Sequence, residues 1–182
     1  MIVLGIDPGL ANTGYGVVER DGARLAALDG GVIETAPGLA LERRLATIAG
    51  RLREILTKHG CDAMALEELY FSKNVHSAFA VGHARGVTML AAGEQGIPCF
   101  SYTPQRVKAA VCGHGRAGKE QVARMVASLL GLPESPSSDH ASDALAVAIC
   151  HVNGTPFADA VSRAVAVAGS SGERGVSVGA PR

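Results

Sequence analysis

The chain has 182 residues, 47% hydrophobic and only 4% aromatic, a length and composition that favour one domain with a sizeable core over two. No apolar run reaches the length of a membrane span, and the opening residues carry no signal-peptide pattern. Seventeen basic and seventeen acidic side chains cancel, which excludes a uniformly basic coat for nucleic acid but not a locally charged surface.

Ile2, Val3, Leu4 and Ile6 form a short apolar run that reads as a strand buried on both faces. It ends in Asp7, where a core strand would normally carry another aliphatic residue, and Pro8-Gly9 turns the chain at once. Thr13 to Val18 resumes strand-like sequence, so the opening is a hairpin with Asp7 near its mouth. An ionised carboxylate there needs a partner, and a divalent metal is a natural one; a turn-capping aspartate is the plainer alternative. Arg24–Leu28 and Val32–Thr35 follow as strand-like pieces around Asp29-Gly30-Gly31, predicting a third strand broken or bulged at the glycines.

Leu41, Leu45, Ile48, Ala49, Leu52, Ile55 and Leu56 recur at helical spacing until Gly60 ends the helix, with arginines on its other side. Ala63–Leu66 is again a short buried strand closed by acids, here Glu67-Glu68. Small residues from Ser72 to Gly96 predict a helix that packs closely against a neighbour, and its span from Asn74 to Gly93 is a candidate subunit interface. Pro98–Tyr102 reads as a fifth strand, and Thr103-Pro104 opens a helix with a threonine cap and a first-position proline. Gly113–Lys119 is a basic glycine-rich loop. It lacks the pattern of a nucleotide phosphate loop, because Glu120 stands where Ser or Thr is required, so contact with a nucleic-acid backbone is the better reading. Lys119–Leu130 is helical, and a last helix opens within Ser137-Ser138-Asp139. The sequence therefore predicts a domain over 1–157 and a disordered tail over 158–182, where periodicity gives way to small and polar residues. The four cysteines are scattered without zinc-type spacing, as expected of reduced thiols in a cytoplasmic protein.

Charge is unevenly placed. Between Tyr70 and Leu130 seven basic residues face only Glu94 and Glu120, an excess of five, with His76, His83 and His114 alongside. That asymmetry predicts a polyanion-facing surface beside a metal-facing one. If the first and fourth strands pair in parallel, Asp7 and Glu67 meet at their C-terminal ends, where ligands of open α/β sheets collect. On the last helix His140 and Asp143 share a face, as do Asp139 and Asp143. Hard oxygen donors in this set suit Mg²⁺ or Mn²⁺ and not zinc, and paired ions would serve phosphodiester hydrolysis. First-turn charge and capping are the structural alternative for the Asp139/Asp143 pair.

GIDPG with TGYGVV, ALEE with FSKN and SA, ARGV, YTP with VK, and SDHASDALAVA together resemble the RuvC family of Holliday junction resolvases (crossover junction endodeoxyribonucleases) across residues 1 to 155. The resemblance implies an α/β ribonuclease-H-like fold with a mixed five-stranded sheet flanked by helices. It implies a homodimer that symmetrically nicks two opposed strands of four-way junction DNA in recombination and repair. It also implies Mg²⁺, with Mn²⁺ substituting, two ions per site, and RuvA and RuvB branch-migration proteins as partners. Position by position, the family's catalytic and metal-binding acids fall on Asp7, Glu67 and Asp143, with His140 where many members carry Asp. Glu68 and Asp139 are the neighbouring alternatives. Tyr70 matches the family's base-stacking aromatic, and Lys108 and Lys119 match its phosphate-facing basic positions, with Arg116 beside them as a further DNA contact. A non-catalytic junction-binding protein of the same fold is the alternative, which the loss of an acid would mark. An actin-like ATPase would need a second lobe for which the chain is too short.

Overall fold

Because successive side chains of a strand point to opposite faces, the apolar runs of this chain must feed two layers at once, and they do. The computed structural model describes residues 1–68 and 75–170, with side chains given for 1–68 and 78–154. Strands β1 (Ile2–Asp7), β2 (Asn12–Asp21), β3 (Arg24–Glu34), β4 (Ala63–Glu67) and β5 (Cys99–Tyr102) form one sheet in the order β3-β2-β1-β4-β5. β1–β2 and β2–β3 are antiparallel, whereas β1–β4 and β4–β5 are parallel, so the sheet is mixed as expected.

One face carries Leu4, Ile6, Val17, Ile33, Met64 and Leu66 against α1 (Leu41–His59) and α2 (Val75–Gly93). The other carries Val3, Val18, Ala63 and Ala65 against α3 (Pro104–Cys112), α4 (Lys119–Leu130) and α5 (Asp139–Ser170). Residues Met1–Val152 make one compact unit, and Asn153–Arg182 is assigned to a second. Of the second, the backbone is helical through Ser170, and residues 171–182 of the expected tail lie outside the described residues.

Local signals act where the sequence carries them. Gly60 ends α1 in the left-handed conformation and returns its N–H to the Leu56 carbonyl. The Thr103 hydroxyl caps α3 by accepting from the Arg106 N–H, with Pro104 in the first turn. The expected break in the third strand is absent: β3 is continuous, and its bulge lies at Leu28, opposite Val17 and Val18, rather than at the glycines. The extra residue inverts the alternation, so Leu25 and Ala27 pack on the α3–α5 side while Ile33 packs on the α1–α2 side. It also turns Asp29 toward the end of α1, where Lys58 and His59 bond its carboxylate at 2.9 and 3.0 Å. Burial opposes ionisation of Asp29, but those bonds and the Gly30 N–H outweigh it and hold its pKa at about 2.

Candidate active site at the strand ends

The same alternation selects the acids. Val3, Gly5 and Asp7 on β1, and Ala63, Ala65 and Glu67 on β4, share the face under α5. Glu68, one residue on, falls on the other parity and is exposed, so of the two adjacent glutamates Glu67 is the one turned into the site. The register of β1 with β4 runs from Val3 opposite Ala63 to Ile6 opposite Leu66, which brings Asp7 and Glu67 to the same edge.

Glycines then let α5 down onto the sheet. A Cβ on Gly5 would collide with the Ala144 carbonyl, one on Gly14 with the His140 carbonyl, and one on Gly16 with the Leu145 side chain. Without those side chains α5 lies in backbone contact with β1 and β2, and its first turns reach the acid-bearing edge. His140 Nδ1 sits 2.7 Å from Asp7 Oδ2. Burial raises the Glu67 carboxyl to about 7, reinforced by the negative charges of Asp7 and Asp143 and opposed by Lys108 and Lys119. Burial likewise raises Asp143, with Asp7 adding to it and Lys119 opposing. Three carboxylates thus compete for one partly buried corner.

A cavity of about 280 Å³ opens beside them, lined by Glu67 and Asp143, the ammonium-bearing Lys108 and Lys119, and an apolar wall from α3 to α5. Lys119 Nζ lies 3.6 Å from Asp139 and 4.0 Å from Asp143. Both ammonium groups thus come from the α3–α4 segment, one from each helix, and meet the acids at the same opening. Asp139 is exposed and pairs with Lys119 at the rim. Arg116 is exposed on the α3–α4 loop and is not among the residues lining this cavity. Tyr70 lies outside the described residues.

No three His, Cys, Asp or Glu side chains among the described residues are already arranged to hold a metal ion. The donor set nevertheless fits one in chemistry. Asp7, Glu67 and Asp143 are hard oxygen donors, burial pushes two of them upward, and the offsetting charges beside them are the ammonium groups of Lys108 and Lys119. A divalent cation would relieve the crowding that burial alone makes costly.

Two features of the site carry no signal in the composition or the spacing. Tyr102, opposite Glu67 on β5, has its hydroxyl 2.7 Å from His151 Nδ1, a bond that ties β5 to α5. Arg85 on α2 reaches the carbonyl of Glu67 from behind the sheet. The latter lies in the ARGV motif, but nothing in that motif states its acceptor.

The chain is similar to known proteins over most of its length. The family model for crossover junction endodeoxyribonuclease RuvC matches residues 3–151. The RuvC of Pelotomaculum thermopropionicum is 52% identical over 153 residues, 84% of this chain and 93% of that protein. That of Moorella thermoacetica is also 52% identical, covering 86% of this chain and 94% of the relative. Among solved structures, Thermus thermophilus RuvC in complex with a Holliday junction substrate superposes with a TM-score of 0.84 at 41% identity, covering 87% of this chain and 96% of that one. The yeast mitochondrial resolvase Ydc2 matches with a TM-score of 0.55 at 16% identity over 83% of this chain and 78% of its own, a likeness of fold alone.

Proposed function

The chain belongs to the crossover junction endodeoxyribonuclease RuvC family, and from that premise we propose that it resolves four-way DNA junctions by nicking two opposed strands. The observation that carries the reading is the convergence of Asp7, Glu67, Asp143 and His140 at one sheet edge, beside a cavity walled by Lys108 and Lys119.

In this reading Asp7, Glu67, Asp143 and His140 hold two Mg²⁺ ions, with Mn²⁺ able to replace them. Bound there, the ions supply an activated water and stabilise the leaving oxygen of an in-line displacement at phosphorus. The chain's own residues do the rest. Lys108 and Lys119 orient the phosphates at the cavity mouth, and Lys119 leaves its acidic neighbours for the substrate. His140 aligns the Asp7 carboxylate through its Nδ1 and would be the one nitrogen donor available to a bound ion. Arg116 adds a backbone contact from its exposed loop, and Tyr70 stacks on an unpaired base near the crossover, a contact worth roughly 1–3 kcal/mol. Phosphate contacts give affinity while the shape of the junction gives selectivity.

Symmetric cutting needs two sites, and a homodimer through α2 supplies them. Its described surface exposes Phe79 by 65%, Leu90 by 54% and Met89 by 45%, more apolar surface than a lone helix face of a monomer needs to show. RuvA and RuvB are the assembly partners of this reading. Its setting is the cytoplasm, in keeping with four free cysteines and with the absence, among the described residues, of any helix long and apolar enough to cross a membrane.

Cleavage of a synthetic four-way junction beside linear duplex, in Mg²⁺ and in EDTA, tests the reading. Paired, metal-dependent nicks in the junction alone are expected. Junction binding without nicks under any divalent ion would leave only a binding protein.

A further inference from the structure

Glu67 is the last residue of β4, and the pairing of β4 with β1 stops one residue before it, at Ile6 opposite Leu66. The ladder to β1 thus ends beside it, while on the β5 side Glu67 stands opposite Tyr102 and the next amide, of Glu68, donates to the Tyr102 carbonyl at 2.7 Å. A half-buried carboxylate crowded by Asp7 and Asp143 is placed only as accurately as the backbone that carries it. Strand alternation puts the Glu67 side chain on the α5 face, while Leu66 and its neighbour across the ladder, Ser101, face α1 and α2. Arg85, on α2, comes from that back side. Its Nη1 donates to the Glu67 carbonyl at 2.7 Å and its Nη2 to Ser101 Oγ at 2.6 Å.

We propose that Arg85 is a positioning residue for the nuclease reaction: its guanidinium spans the ends of β4 and β5 and fixes the backbone from which Glu67 reaches the reacting site. The inference rests on the resolvase reading and adds to it a group on the face of the sheet opposite the chemistry. The planar fork suits the task, because two N–H groups set at a fixed separation reach a carbonyl of one strand and a hydroxyl of the next together. An ammonium carries its three donors on one atom and lacks that fixed separation. The cation also belongs to the helix proposed as the subunit interface, so the dimer helix and the catalytic strand end share one rigid tie. Arg85 touches no reacting atom, and its effect passes entirely through Glu67.

The test compares Arg85→Met, Arg85→Lys and Ser101→Ala with the full wild-type chain on a synthetic four-way junction. Nicking is followed in single turnover and normalised to junction-bound dimer, and junction affinity is measured separately in EDTA. Wild-type protein that does not nick would sink the resolvase reading itself, and these variants would then have nothing to report. With an active wild type, Arg85→Met is expected to lower the rate per bound dimer about 10–100-fold, the scale of a small misplacement of a catalytic group, with junction affinity unchanged. Arg85→Lys is expected to recover part of that loss, and Ser101→Ala to cost about 2–5-fold, the worth of one hydrogen bond. A merely structural tie would lower the folded fraction and leave the rate per bound dimer alone, which overturns the proposal. So would a loss that appears in junction affinity instead of rate. Should Arg85→Met fail to fold, full-rate nicking by both Arg85→Lys and Ser101→Ala overturns it as well.

Discussion

The two faces of the sheet are built from different residues for different ends. Toward α1 and α2 the strands present Leu4, Ile6, Val17, Met64 and Leu66, all fully buried, against Ile48, Leu52 and Leu56. Toward α5 they present Val3 and Val18 but also Gly5, Gly14, Gly16, Ala63 and Ala65, and α5 replies near the glycines with Ala144 and Ala148. Large aliphatics bury the most apolar area per residue, and the strands turn most of theirs to the first face. Glycine and alanine bury little but bring backbone to backbone, and closeness is what the second face needs, because it carries Asp7, Glu67, His140 and Asp143. Stability and alignment are thus separated across a single sheet, and substitutions on the two faces should fail in different ways.

The largest expected effect is chemical. Asp7→Asn keeps the shape and loses the charge, so nicking should fall on the order of 10³-fold while junction binding persists; a variant that still cuts would remove Asp7 from the reaction. Next comes Gly5→Ala, whose new methyl group must push α5 off β1. It should cost about 1–3 kcal/mol of stability, and by moving Asp143 it should also slow nicking by about 10²-fold per folded molecule. Leu52→Ala on the opposite face is the contrast. A loss of about 2–5 kcal/mol in a denaturant titration should leave the rate per folded molecule at the wild-type level. Equal damage to rate from both substitutions would erase the distinction between the faces.

A smaller effect separates the faces by pH. Folding raises the Glu67 carboxyl from its ordinary value near 4.5 to about 7, and Asp143 moves the same way. Between those values the unfolded chain has released the proton and the folded chain has kept it. Stability from this corner is therefore complete below the unfolded pKa and lost as pH rises through the folded one. In EDTA, the melting temperature should fall from pH 5 to pH 8 by more in the wild type than in Glu67→Gln. Saturating Mg²⁺ should restore it, since a cation bound only to the folded state stabilises by mass action. An identical pH slope in the two proteins would mean Glu67 ionises as it does in water. Smallest is Tyr102→Phe, which strips the hydroxyl facing His151; about 1 kcal/mol is expected, with the hydrophobic core otherwise intact, as thermal melts at fixed pH would read.

Much of this was legible in the residue order. Short apolar runs and helical spacing placed the five strands and the helices flanking them, Gly60 and Thr103 marked ends that the structure keeps, and Asp7 and Glu67 stood out as acids ending apolar runs. Such signals are local, written within a turn or a few strand residues, so they can be read without knowing the fold. The bulge was displaced by a residue or two, because the parity of β3 depends on which residues of β2 it meets. Likewise the motifs marked Arg85 but not its acceptors. What only the tertiary structure decided is a matter of register and helix rotation. The pairing of β1 with β4 brings two acids to one edge, and the parity of β4 prefers Glu67 over Glu68. Three glycines lower α5 until His140 meets Asp7 across 133 residues of sequence, and an arginine arrives from the far face to hold the strand end. Each of these joins groups far apart in the chain, and a contact of that kind exists only once the intervening elements have packed.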